Sequence, residues 1–137
     1  MTNKIEVYTD GACSNNQEVE KSIGGWAYYL SYKGHVKKGA GRVVKTTNNR
    51  MEITAIINAL KQMKRYDIKT LVYTDSQYVI GTVTLGWKKN KNEDLWEELF
   101  REIEKFTDIE FLKVKGHAND KLNNLVDEMA VNQTKEI

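Results

Sequence analysis

The tripeptide Tyr-Thr-Asp occurs twice, as Tyr8-Thr9-Asp10 and Tyr73-Thr74-Asp75. Each copy closes a stretch that reads as a β-strand. In open α/β sheets, ligands gather beyond the carboxyl ends of strands. If the two strands are neighbours, Asp10 and Asp75 point into one crevice. Carboxylates a few Å apart repel, and one stays protonated unless a cation holds both. Ligation by oxygen alone favours Mg²⁺ or Mn²⁺ over zinc. Either aspartate taken singly reads more readily as the cap of a following turn; the repetition makes the site an equal contender. Two further acids are within range of joining them. Glu52 falls near the start of a helical pattern, at the edge of an Ile53/Ile56/Leu60 stripe, where an acid also suits the helix dipole. Asp127 follows Asn123 by four residues, so the two share a helix face. Such a pair is more often a solvated face than a site.

The elements that would position these groups follow from periodicity. Ile5, Val7 and Thr9 alternate with polar neighbours, giving a short strand that ends near Asp10. Gly11 to Gly25 reads as a polar loop. Trp26 to Tyr32 and Val36 to Val44 read as two more strands joined by a hairpin at Lys33-Gly34-His35. Thr46-Thr47-Asn48 offers helix-capping side chains, and Ile53, Ile56, Ile57, Leu60 and Met63 follow at helical spacing. Leu71 to Tyr73 is a short buried strand, and a short helix follows through Tyr78, Val79 and Ile80. Leu95, Trp96, Leu99, Phe100, Ile103 and Phe106 form an amphipathic helix, with Trp26 and Trp96 assigned to the core. Ile109 to Val114 is a fifth strand. Gly116 to Lys121 is a loop, and Leu122, Leu125, Val126 and Met129 mark a last helix. The order βββαβ(α)αβα predicts an α/β fold: one mixed five-stranded sheet, an antiparallel hairpin beside parallel strands, with helices on both faces.

Composition limits the alternatives. A chain of 137 residues, 40% apolar and 29% charged, suits a single domain over residues 1–137. No apolar run reaches the roughly 18 residues a membrane span needs, and no signal-peptide pattern follows Met1. The single cysteine, Cys13, excludes an intrachain disulfide framework and a cysteine-based zinc site. A reducing cytoplasm is the expected compartment. With no proline in the chain, its turns are expected to fall on Gly, Asn, Asp and Ser.

The segments Tyr8-Thr9-Asp10-Gly11-Ala12-Cys13, Thr46 to Glu52 (Thr-Thr-Asn-Asn-Arg-Met-Glu), Tyr73-Thr74-Asp75-Ser76-Gln77-Tyr78-Val79, Asp94-Leu95-Trp96 and Lys115-Gly116-His117-Ala118, with Asn123 and Asp127 after them, run in order over nearly the whole chain. In this it resembles type 1 ribonuclease H. The resemblance implies a ribonuclease H-like fold and an endoribonuclease that cuts the RNA strand of an RNA–DNA hybrid, leaving 5′-phosphate and 3′-hydroxyl ends. It implies Asp10, Glu52, Asp75 and Asp127 as metal-binding carboxylates. Two Mg²⁺ ions roughly 3.5–4 Å apart, replaceable by Mn²⁺, would clamp attacking and leaving oxygens. Asp10 would bridge them, with Glu52 and Asp75 to one side and Asp127 to the other. His117 would act as a proton carrier near the cut phosphate; without its Lys-Gly-His-Ala context it would be a surface-loop histidine. His35 has no such context and reads as a turn residue.

The same resemblance implies how the substrate is held. Cys13, Asn16, Asn48, Asn49 and Gln77 match positions that contact RNA near the cut, where small polar groups sense the 2′-hydroxyl. Gly11 and Asn123 join the substrate-binding positions. Lys45 and Thr47 match positions that hold a DNA phosphate, and Trp87 would stack on a deoxyribose. Asn48 and Asn49 also suit a helix start, and Cys13 also suits a half-buried small side chain. The chain departs from many bacterial members by a shortened basic protrusion, of which only Leu85 to Asn92 remains. Its Gln17 to Ile23 loop replaces a shorter Gly- and Pro-rich stretch. Both departures bear on hybrid affinity. A catalytically silent hybrid-binding module is disfavoured by the four carboxylates and the histidine. A resolvase-like DNA nuclease is disfavoured by the 2′-hydroxyl-sensing set. A detached reverse-transcriptase domain is disfavoured by a start at Met1. A monomer with no membrane association and no obligate partner is expected. The formal charge of +2 divides on this view: 21 basic residues against the 15 acids outside the quartet leave +6 on the body of the protein.

Overall fold

The computed structural model describes residues 3–86, 91–114 and 120–135. Among these, the order is β1 (Lys4–Ser14), β2 (Ile23–Tyr32), β3 (His35–Val44), α1 (Asn48–Leu60), β4 (Lys69–Thr74), α2 (Gln77–Leu85), α3 (Glu93–Ile103), β5 (Ile109–Lys113) and α4 (Lys121–Gln133). A single 3₁₀ turn, Val19–Lys21, lies between β1 and β2. The strands form one sheet in the order β3-β2-β1-β4-β5. The pairs β1·β2 and β2·β3 are antiparallel, and β1·β4 and β4·β5 parallel. The mixed five-stranded sheet expected from the sequence is therefore present.

Side chains alternate across a strand, so each face has its own partner helices. Ile5 and Val7 of β1, Tyr28 and Leu30 of β2, and Val72 of β4 pack with Ile53, Ile56 and Leu60 of α1 and Trp96 and Leu99 of α3. On the other face Ala27 meets Val126 and Ala130 of α4, bordered by Tyr8, Ala12, Tyr29 and Ala40. Trp96 is fully enclosed, whereas Trp26 is half-buried and stacks on Tyr28 at 6.1 Å.

Four sequence expectations need correction. The segment after Asp10 is not loop: β1 runs on to Ser14 and β2 starts at Ile23, with Gly11 opposite Trp26 and Ser14 opposite Ile23. Polar and glycine residues hide this extension from a hydrophobicity pattern, while antiparallel pairing with β2 sustains it. The helix after Asp75 reaches Leu85, well past Ile80. Phe106 lies beyond the end of α3 but stays buried, meeting Tyr66 edge-on at 5.1 Å. Turns are not confined to Gly, Asn, Asp and Ser, because Lys33 (φ 48°) and Lys45 (φ 57°) also take left-handed backbone.

Candidate active site

The recurrence of Tyr-Thr-Asp is a statement of register. Tyr8 and Tyr73 are direct partners across the parallel β1·β4 pair, and their rings stack at 4.6 Å. Asp10 and Asp75, each two residues further on, therefore emerge side by side. Their settings differ. Asp10 lies inside β1, which continues, and is only 3% exposed. Asp75 stands just past the end of β4 and is exposed.

Glu52 reaches them from α1. It is the fifth residue of that helix, past the first turn, so the dipole explanation for an acid there lapses. It is buried, 6% exposed. Gly11 permits the approach: a Cβ at that position would lie 2.4 Å from the Glu52 backbone nitrogen and 2.5 Å from the Met51 carbonyl carbon. Ligand oxygens of Asp10, Glu52 and Asp75 all fall within 4.8 Å of one another. Asp127 of α4 comes within hydrogen-bonding reach of Asp10 from another side. The structure thus brings the other three predicted carboxylates to Asp10.

The cluster is electrostatically loaded. Burial, then the charge of Asp75, then the Asp127 side chain raise the Asp10 carboxyl well above the usual carboxylate range. The amide of Gly11, donating to Asp10 Oδ1 at 2.9 Å, opposes this. Burial followed by repulsion from Asp10 and Asp75 raises Glu52. Glu52 Oε1 is buried with no hydrogen-bond partner. An orphaned acidic oxygen facing two more carboxylates calls for a proton or a cation. An all-oxygen donor set with that orphan fits a hard divalent ion.

Two helices begin around this cluster. Thr47 caps α1, its Oγ1 accepting from the Arg50 amide at 3.3 Å. The Asn48 amide donates to Asn16 Oδ1 at 2.8 Å, so Asn16 is committed to the helix start. Asn49 is exposed at the same terminus. Gln77, also exposed, is the first residue of α2, behind the cap Ser76. Cys13 is half-buried, with Sγ near the carbonyls of Ser14 and Thr46, and burial raises its thiol pKa. Ser22 locks the loop ahead of β2 to the α1 entry: its Oγ accepts from the Thr46 amide at 2.7 Å. Lys45 is exposed, and its ammonium lies 3.6 Å from Glu20. Asn123 is buried on α4, with its Oδ1 unpartnered. Trp87 and His117 lie outside the described residues.

Sequence reading assigned no role to a group of residues beside the carboxylates. Arg50, two residues before Glu52, forms a two-pronged bond to Asp94 at 3.0 and 2.8 Å. That contact pulls the Asp94 carboxyl down to about 2. Both residues sit within the segments that carried the family resemblance, which was the available signal. Tyr78 lies in a third such segment, and Asn92 completes the group without a signal of its own.

Fold and site define an α/β protein that gathers carboxylate oxygens fit for a divalent cation where β4 ends beside the continuing strand β1. Comparison with known proteins narrows this. The sequence profile of the RNase H family matches residues 2–135. Ribonuclease H of Thermoanaerobacter sp. is 45% identical over 145 residues, covering 96% of this chain and 90% of the relative. A crystal structure of a type 1 ribonuclease H with the type 2 active-site motif aligns with a TM-score of 0.79 at 25% identity, over 98% of this chain and 73% of the other. Ribonuclease H1 of the halophilic archaeon Halobacterium salinarum aligns with a TM-score of 0.74 at 25% identity, over 95% and 96%. The chain belongs to the ribonuclease H family.

Proposed function

We propose that this protein is an endoribonuclease that hydrolyses the RNA strand of RNA–DNA hybrids and leaves 5′-phosphate and 3′-hydroxyl ends. The observation that carries the reading is the Asp10/Glu52/Asp75 cluster with its orphaned Glu52 oxygen, in a chain of this family. Asp10, Glu52, Asp75 and Asp127 would hold Mg²⁺, two ions per site with Mn²⁺ as a substitute. When bound, the metal supplies charge neutralisation at the scissile phosphate and activation of the attacking water.

The rest of the work belongs to the chain. Asp10 is central because the other carboxylates reach it from β4, α1 and α4, which suits it to bridge. Its burial keeps bulk water away from the oxygens that would hold the metal. Residues at two helix starts, Asn48 and Asn49 on α1 and Gln77 on α2, meet the RNA strand, where amide donors suit phosphate and 2′-hydroxyl oxygens. Gly11, Cys13 and Asn123 line the same approach, and Asn16 acts through its hold on the Asn48 amide. Lys45 and Thr47 take a DNA phosphate. The Thr47 oxygen accepts from Arg50 as a helix cap, while its hydroxyl proton remains able to donate. Glu20 must release Lys45 as that phosphate arrives. Trp87 stacks on a deoxyribose, and a neutral imidazole nitrogen of His117 carries a proton at the cut. We also read the chain as a single-domain monomer of the cytoplasm.

One assay tests this reading. Labelled RNA–DNA hybrid, duplex RNA and duplex DNA are incubated with and without Mg²⁺. The expected result is cleavage of the hybrid's RNA strand alone, abolished by EDTA. Cleavage of duplex DNA would overturn it.

A further inference from the structure

Asn92 occupies an unusual position. It immediately precedes α3 with left-handed backbone, φ 60° and ψ 33°, and its side chain makes no capping bond to that helix. Asparagine favours caps because its oxygen satisfies free amides at a helix start. Here the side chain is turned to other work. Its Oδ1 accepts from Arg50 Nη1 at 3.3 Å, and its Nδ2 donates to Tyr78 Oη at 3.3 Å. The same phenol oxygen accepts from Trp96 Nε1 at 2.9 Å, and the two rings meet edge-on at 5.4 Å. Arg50 is also held by both oxygens of Asp94.

These contacts connect two active-site helices. Arg50 is two residues before Glu52 on α1. Tyr78 is three residues after Asp75, in the first turn of α2. The start of α3 therefore ties the helix that carries Glu52 to the helix that follows Asp75. Strained backbone and a forfeited cap at one residue are features that persist where surrounding structure demands them. No such demand comes from the α3 start itself, since glycine would adopt the same backbone at less cost.

We propose that Asn92, with Arg50, Asp94 and Tyr78, is a positioning brace that sets the spacing of the Glu52 and Asp75 carboxylates and so the affinity of the site for divalent cations. The brace touches neither the reacting phosphate nor the ligand oxygens. It acts by fixing the two elements that present them. The inference rests on the proposed metal-binding role of the cluster.

The informative variant is Asn92→Gly. It keeps the left-handed backbone available while removing both side-chain bonds, so folding should be preserved. Mg²⁺ binding is measured by calorimetry on hybrid-free protein, with thermal melting alongside. Asn92→Gly should weaken Mg²⁺ binding about tenfold, the scale seen when groups that orient metal ligands are removed. Its melting temperature in EDTA should match or exceed wild type. In turnover assays its reduced rate should recover at high Mg²⁺, with KM for hybrid unchanged. Asn92→Asp, which retains an acceptor for Arg50, should fall between the two. Wild-type Mg²⁺ affinity in Asn92→Gly would overturn the brace and leave the active-site reading standing. Mg²⁺ binding unaffected by Asp10→Asn would overturn the active-site reading and the brace with it.

Discussion

At the scale of single residues, the site is a repulsive cluster held together by its surroundings. Asp10 and Glu52 both have folded-state pKa values raised above the ordinary carboxylate range, first by burial, then for Asp10 by Asp75 and Asp127 and for Glu52 by Asp10 and Asp75. The folded state therefore binds more protons than the unfolded chain. The stability these groups allow is fully present below about pH 4 and is lost as pH rises through the raised values. Metal-free protein should melt at progressively lower temperature between pH 5 and pH 9, and Mg²⁺ should flatten that slope. Asp10→Asn should raise stability at neutral pH by on the order of 1 kcal/mol in EDTA, while removing nearly all hybrid cleavage and sparing hybrid binding. A slope in Asp10→Asn as steep as in wild type would contradict the electrostatic account. The aspartates were legible in the sequence because a strand register had copied itself into a repeated tripeptide. The contacts that join Asn92 to Arg50 and Tyr78 were not, because they link segments distant in sequence, and a hydrogen-bond hub leaves no periodic trace.

At the scale of elements, one contact governs the catalytic geometry: α1 crosses β1 at Gly11. A methyl group there would meet backbone atoms of Met51 and Glu52, which cannot swing aside as a side-chain tip could. Gly11→Ala should therefore displace the start of α1. It should cost about 1–3 kcal/mol in denaturant melts and weaken Mg²⁺ binding, because Glu52 moves with the helix. Unchanged Mg²⁺ affinity would mean that the approach is incidental. Helix identities were largely readable from apolar spacing, as with Ile53, Ile56 and Leu60 on α1. Boundaries were less so. The end of β1 and the opening of β2 carry Gly11, Cys13, Ser14, Gly24 and Gly25, whose strand character comes from the pairing of the two strands. On α4 the buried line is Asn123, Val126 and Ala130, while Leu122, Leu125 and Met129 flank it. Hydrophobicity alone could not place a polar residue on the buried line.

At the scale of the whole molecule, a near-neutral formal charge conceals a division of labour. The acids that would meet the metal are concentrated at one site, and the body around them carries an excess of lysine and arginine. Hybrid affinity should therefore fall about tenfold or more between 50 and 200 mM salt, as phosphate contacts exchange with counterions. Fluorescence anisotropy with a labelled hybrid and Asp10→Asn protein would measure it; a flat salt response would remove the basic body from the binding account. The sheet itself has a second consequence. Its outer strand β3 is ten residues long and leaves one side of its backbone unpaired by any described strand. Such a margin is a template on which a second molecule could extend the sheet. Lys37, Lys38 and Arg42 stand along it, exposed. Two copies brought margin to margin would have to crowd these cations together. Side chains that add to the positive charge of the body thus also oppose the pairing of two such margins.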